Sequence, residues 1–187
     1  MLNREEWIKA NGPAARLVTA NTGIHPETLL AQAIIESSTE VQGGYYPAQS
    51  VLAKRANNFF GIKADPSWKG KKITLVTKEY RNGYPINVEA DFRLYSDPSE
   101  SFRDYINFLQ VNPRYRKAGV FDAATPEIQA EKLAEAGYAT DPSYATLLKG
   151  VILSVKKYLP PPTIALAILP LIITAGLFFL IVKKKTK

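Results

Sequence analysis

Cysteine is absent from the 187 residues, and histidine and methionine occur once each. Without thiols there is neither a disulfide framework nor a thiolate nucleophile. A lone imidazole, His25, cannot supply a zinc site of the usual His/Cys type within one chain. No metal and no cofactor is therefore expected, and carboxylates are the main chemistry left. The amino terminus also lacks something: Met1 to Ala10, MLNREEWIKA, is polar and acidic where a signal peptide would be apolar.

Charge is absent from Thr163 to Val182, twenty residues without one Asp, Glu, Lys or Arg. As a helix this run is roughly 30 Å long, the hydrocarbon thickness of a bilayer. Its interior Pro170 and Gly176 are tolerated in membrane helices. The expectation is a transmembrane helix over 163–182, preceded by a proline spacer at 160–162 and followed by a basic tail at 183–187. Four lysines of that tail account for most of the net +7, leaving 20 basic against 17 acidic residues elsewhere. Such a balanced body, 1–159, is one soluble domain and no nucleic-acid surface.

Within the body a helix-start pattern recurs: a polar residue, Pro at the first helical position, then an acid. It appears at His25-Pro26-Glu27, Asp97-Pro98-Ser99-Glu100 and Thr125-Pro126-Glu127, and its first two members at Asp141-Pro142. Asn3 with Glu6 reads as a capping box. Ile73 to Tyr80 and Ile86 to Phe92 alternate instead, with Asn82-Gly83 between them, which predicts a hairpin with a slightly long loop. The fold class is thus α+β, mainly α, with a small β-hairpin lobe.

In the helix opened by Pro26, Glu36 follows Leu29 by seven positions and falls about 20° from it, on the stripe that holds Ala33. Desolvation and the negative helix end both oppose its ionisation. A carboxyl that keeps its proton near neutral pH can protonate a leaving group. The competing reading is a frayed helix end where Glu36 simply meets water.

Seven blocks surround this acid in order: AQAIIES (31–37), SVLAKRANNFFGIKA (50–64), WKG (68–70), TKEY (77–80), FRLYSDPSESFRDYINFL (92–109), NPRY (112–115) and AGYATDPSYATLL (136–148). Together they resemble glycoside hydrolase family 73, the peptidoglycan N-acetylglucosaminidases that include the glucosaminidase domain of flagellar hydrolases. The resemblance implies a lysozyme-like domain acting on peptidoglycan glycan strands. It implies Glu36 as general acid and Glu79 as the second acidic residue. Because a one-residue slip of the hairpin reverses its faces, Glu89 and Asp91 compete with Glu79. It further implies Asn58, Phe60, Tyr138 and Tyr144 as groove residues. Taken as residues alone, Phe60 and Tyr138 read equally as core packing, Asn58 as a turn former and His25 as a helix-start residue.

Where many members of that family carry a short Gly-Trp-Gly type turn after the acid, this chain has the longer Ser37 to Gln49. That stretch either lines the groove or is a surface insertion. The expected activity is hydrolysis of the β-1,4 bond between N-acetylglucosamine and N-acetylmuramic acid. The alternatives are a lytic transglycosylase and a non-catalytic wall-binding membrane protein. The lysines of the tail favour a cytoplasmic carboxyl terminus, whereas Lys149, Lys156 and Lys157 flank the other end of the apolar run and blunt that bias. This conflict points to a phage protein, in a virion's internal membrane or released at lysis, with a bacterial envelope enzyme facing the wall as the competing source.

Overall fold

The structure is a computed structural model; it describes residues 3–41, 44–81 and 84–159, and the side chains among these except at 39–41, 44, 45 and 78–81. The expected spacer, membrane helix and basic tail lie outside the described residues. No helix among the described residues is long and apolar enough to cross a membrane.

Among the described residues seven α-helices and two hairpins follow one another: α1 (Arg4–Thr19), α2 (Pro26–Ser37), β1 (Thr39–Val41), β2 (Gly44–Tyr46), α3 (Val51–Ala56), β3 (Lys72–Arg81), β4 (Tyr84–Arg93), α4 (Pro98–Val111), α5 (Pro113–Lys117), α6 (Pro126–Glu135) and α7 (Tyr144–Tyr158). The mainly helical α+β class is as expected. The start pattern is capped by a side chain at α4 and α6 but not at α2, where His25 makes no capping bond. Asp97 accepts from the Glu100 amide and Thr125 from the Ile128 amide, and Asn3 and Glu6 form the reciprocal box. At Asp141-Pro142 the helix begins later than expected, because Asp141 Oδ1 closes a turn on the amide of Ser143 (2.8 Å) and α7 opens at Tyr144.

α2 is the axis of the molecule and packs against α1, α6 and α7. Thr28 to Ile34 are all buried, so this helix is covered around its circumference rather than along one stripe. The stripe expected from Leu29 and Ala33 is a subset of that burial, and the helix emerges only in its last turn, at Glu36. Around it a single core gathers Trp7 and Ile8 of α1, Phe102 and Leu109 of α4, Leu133 of α6, and Leu148 and Ile152 of α7. Gly23, before α2, has φ +78° and sits so close to the next layer that a Cβ would lie 2.4 Å from the Phe121 carbonyl oxygen.

β3 and β4 pair antiparallel from Lys72↔Arg93 to Arg81↔Tyr84. The ladder thus runs farther than expected, and the connection shortens to the two residues Asn82 and Gly83. The hairpin packs chiefly on itself, and among its described side chains only Phe92 at its base is buried. In the stretch after α2, β1 and β2 form a second short ladder, Thr39↔Tyr46 to Val41↔Gly44. Its neck is tied at Ser37, whose hydroxyl accepts from Ala48 N (2.9 Å) and whose carbonyl accepts from Gln49 N and Ser50 N (2.9 and 2.8 Å).

Candidate active site

A cleft of about 700 Å³ opens beside the last turn of α2. Glu36 contributes its carboxyl, and Phe60, Tyr105, Phe108, Tyr115 and Tyr138 form an aromatic wall. The rings hold one another: Phe60 stacks on Tyr105 (3.9 Å, 8°), Tyr105 on Phe108 (6.4 Å, 22°), and Tyr115 meets both Phe108 and Tyr138 (6.1 and 6.3 Å). Lys63, Asp65, Arg93, Arg114 and Asp141 form the polar part of the lining.

Solvent reaches the Glu36 side chain through the open mouth. The packed walls nevertheless shield its carboxyl, and this burial raises its pKa above the ordinary carboxylate value, while a hydrogen bond with the Tyr138 hydroxyl pulls the other way. The carboxyl is therefore biased toward the protonated acid. The two other carboxylates that line the cleft among the described residues are engaged by their own surroundings. Asp65 is held down to about 2 by Ser67 and Arg93. Asp141 is lowered by the backbone and hydroxyl of Ser143.

Arg93 organises a charged part of the cleft lining. Its Nη1 donates to both Asp104 oxygens (2.9 Å each), its Nη2 to Asp65 Oδ2 (2.7 Å), and its guanidinium lies 4.5 Å over the Trp68 ring. The Tyr95 hydroxyl adds a further bond to Asp104. Nearer the aromatic wall, Arg114 lies over Tyr115 (4.7 Å) and donates to its hydroxyl (2.6 Å).

The structure distributes the expected site residues unevenly. Glu36, Phe60 and Tyr138 meet in the cleft. Tyr144 lies behind it, buried, stacked on Tyr138 at 5.5 Å and bonded by Gln32 Nε2 (3.0 Å). Asn58 is not part of the lining. It is buried, donates to the carbonyls of Ile62 and Arg93 (2.9 Å each) and accepts from Ile62 N (3.0 Å), so its amide ties a loop to the hairpin base. Position 79 pairs with Ile86 on β3, while the Glu79 side chain lies outside those described. Of its competitors, Asp91 is bonded to Lys72 and Thr74, and Glu89 stands opposite Val76 on an exposed row. His25 stands at the start of α2 with its ring on Ala123 O (2.8 Å), away from the cleft.

Sequence reasoning passed over Tyr105, Phe108, Arg114 and Tyr115, although all four lie in the quoted blocks. An aromatic at 105 and another at 108 are helix-face neighbours, which was the available signal. Among the described residues no cluster of His, Asp and Glu forms a metal site.

Residues 12–157 match the family model described as "Glucosaminidase: Mannosyl-glycoprotein endo-beta-N-acetylglucosaminidase". The chain is 41% identical over 145 residues to the peptidoglycan hydrolase FlgJ of Salmonella typhimurium, covering 76% of this chain and 43% of that protein. It is 32% identical over 154 residues to a probable N-acetylmuramidase of Lactococcus lactis subsp. lactis, covering 79% and 33%. The chain thus spans less than half the length of these curated relatives. Among solved structures, the C-terminally truncated glycoside hydrolase domain of Salmonella typhimurium FlgJ superposes with a TM-score of 0.61 at 38% identity, covering 82% of this chain and 98% of that one.

Proposed function

The chain belongs to the glucosaminidase family, and from that premise we propose that it hydrolyses the β-1,4 bond between N-acetylglucosamine and N-acetylmuramic acid in peptidoglycan. The observation that carries this reading is the placement of Glu36, its pKa raised by burial, at the end of an aromatic-walled cleft. Such walls pack against sugar faces, while tyrosine hydroxyls bond acetamido groups. Glu36 gives its proton to the glycosidic oxygen as the bond to the anomeric carbon breaks. The second carboxyl in this reading is that of Glu79, as nucleophile or as base for water. Asp65 and Asp141, engaged as described, are the poorer choices.

Product analysis on purified peptidoglycan tests this with wild type, Glu36→Gln and Glu79→Gln side by side. Reducing-end N-acetylglucosamine is expected from the wild type and from neither variant. Reducing-end N-acetylmuramic acid would move the scissile bond, and the muramidase name of one relative makes this the sharpest rival. Anhydromuramyl ends would replace hydrolysis by transglycosylation. Loss with Glu36→Gln alone would mean single-acid or substrate-assisted chemistry. A wild type that binds the wall and cleaves nothing would leave a binding module.

The same proposal extends to where the enzyme works. The uncharged run 163–182 anchors it in a bilayer, and the charge conflict around that run favours a phage enzyme for entry or lysis over a bacterial envelope enzyme. Fractionation of virions and host envelopes decides: protein found only in the soluble fraction removes the anchor, and protein absent from virions removes entry.

A further inference from the structure

The charges that line the cleft are not equally occupied. Arg93 is forked on Asp104 and reaches Asp65, Asp65 also accepts from Ser67, Asp141 is bonded by Ser143, and Lys63 is engaged as well. Arg114 differs in the kind of partner it has. Its Nη1 donates to the Gly137 carbonyl at 3.2 Å and its Nη2 to the Tyr115 hydroxyl at 2.6 Å, and its guanidinium lies 4.7 Å over the Tyr115 ring. All of these partners carry no net charge, so the contacts fix the cation without neutralising it. Among the described residues no carboxylate forms an ion pair with it.

An exposed arginine ordinarily keeps most of its rotamer freedom, and ordering it on a ligand costs free energy. Here a stack and two bonds have already ordered it, although Arg114 itself is exposed. The buried Tyr115 ring that carries it packs against Phe108 and Tyr138 (6.1 and 6.3 Å), and Gly137 immediately precedes Tyr138. The guanidinium is thus built onto the same aromatic wall that stands beside Glu36. It has more N–H donors than its two acceptors take, and a planar fork of this kind matches a carboxylate.

Sugar hydroxyls and acetamido groups are neutral and call for no such charge. Peptidoglycan does carry acid: the lactyl group of N-acetylmuramic acid ends in a carboxyl, free or amide-linked to the stem peptide, and the stem has carboxyls of its own. We propose that Arg114 is a specificity-determining residue that binds a carboxylate of the strand and so makes the cleft prefer acid-bearing muramyl strands to an uncharged glycan. This rests on the reading of the substrate as peptidoglycan and leaves the roles of Glu36 and Glu79 untouched.

The experiment is calorimetric titration of soluble glycan strands into the full-length chain carrying Glu36→Gln, which prevents turnover. One strand type keeps its stem peptides, with their amines acetylated; the other is stripped of stems and exposes the lactyl carboxylate. Each is compared before and after its carboxyls are converted to methylamides. Amidation is expected to weaken binding about tenfold for at least one strand type, the size of one hydrogen-bonded charge pair. Dependence on the stripped strands assigns the lactyl carboxylate, dependence on the stem-bearing strands a stem carboxylate, and dependence on both a site that takes either. With Arg114→Gln added, the free-acid strands are expected to lose the same factor and amidation to have no further effect, as for two partners in one contact.

Equal losses with Arg114→Gln on free-acid and amidated strands would make Arg114 a brace of the Gly137–Tyr138 loop and overturn the proposal. A chain with Arg114 intact that ignores amidation of both strand types would overturn it too. Should Arg114→Gln fail to fold, Arg114→Lys takes its place; it keeps the charge and loses the fork, and a dependence on amidation as large as that of arginine contradicts the assignment. Failure of the peptidoglycan reading has its own signature. Strands that neither bind nor are cleaved by the wild type refute both readings, whereas strands that are cleaved without any carboxylate dependence refute only the role of Arg114.

Discussion

Glu36 lies where α2 leaves the core, so the protein shields its carboxyl without covering the cleft mouth. This has a consequence for stability with a definite sign. Below the ordinary value of 4.5, folded and unfolded chains both hold the proton, and the group does not affect the balance. As the pH rises, the unfolded chain releases its proton first, so the folded state loses stability until the pH passes the raised folded value. Glu36→Gln, equal in size and never charged, is expected to melt above the wild type at pH 7 and together with it near pH 3. Thermal unfolding at the two pH values checks this, and a variant that melts lower at pH 7 contradicts it. Activity of the same variant is expected to fall by about 10²- to 10⁴-fold, the usual contribution of a general acid.

Among the elements, those whose signals are local were legible in the sequence. The Pro-led starts of α2, α4 and α6 and the capping box of α1 each need only four adjacent residues. The hairpin was legible from alternation, although its ends were not, because ladder bonds continue past the last apolar residue. In the site, Glu36, Phe60 and Tyr138 were found through their blocks, whereas the partners of buried amides were not. Gln32 reaches Tyr105 and Tyr144, Gln129 ties Gly23 to Val120, and Asn58 ties its loop to Arg93. Except for the short span from Gln129 to Val120, these partners lie far apart along the chain, so no spacing rule marks them. Asn58 was accordingly read as a groove residue or a turn former, and its bonds make it a brace. Asn58→Ala is expected to cost about 2 kcal/mol by leaving buried backbone groups unpaired. Denaturant unfolding should register that loss while KM for peptidoglycan stays near the wild-type value, and a raised KM without loss of stability would return Asn58 to the groove.

At the scale of the whole molecule, stability and the reach of the hairpin are separable. The helices close one core to which the described side chains of β3 and β4 contribute nothing, since even buried Phe92 lies outside the cluster. Replacing residues 78–87 by Asn-Gly keeps Thr77 opposite Val88 and shortens the lobe without changing its register. The shortened protein is expected to melt within a few degrees of the wild type and to have lost hydrolysis along with Glu79. Retained hydrolysis would remove the hairpin from the chemistry.

The serine at the end of α2 gives the stretch behind the acid a different status from the hairpin. Because the hydroxyl and carbonyl of Ser37 gather Ala48, Gln49 and Ser50, the intervening residues leave and return through one closed neck. Such a neck makes the excursion a cassette. Its length and composition can drift, or be exchanged by an engineer, while the helix end that aims Glu36 stays as it is.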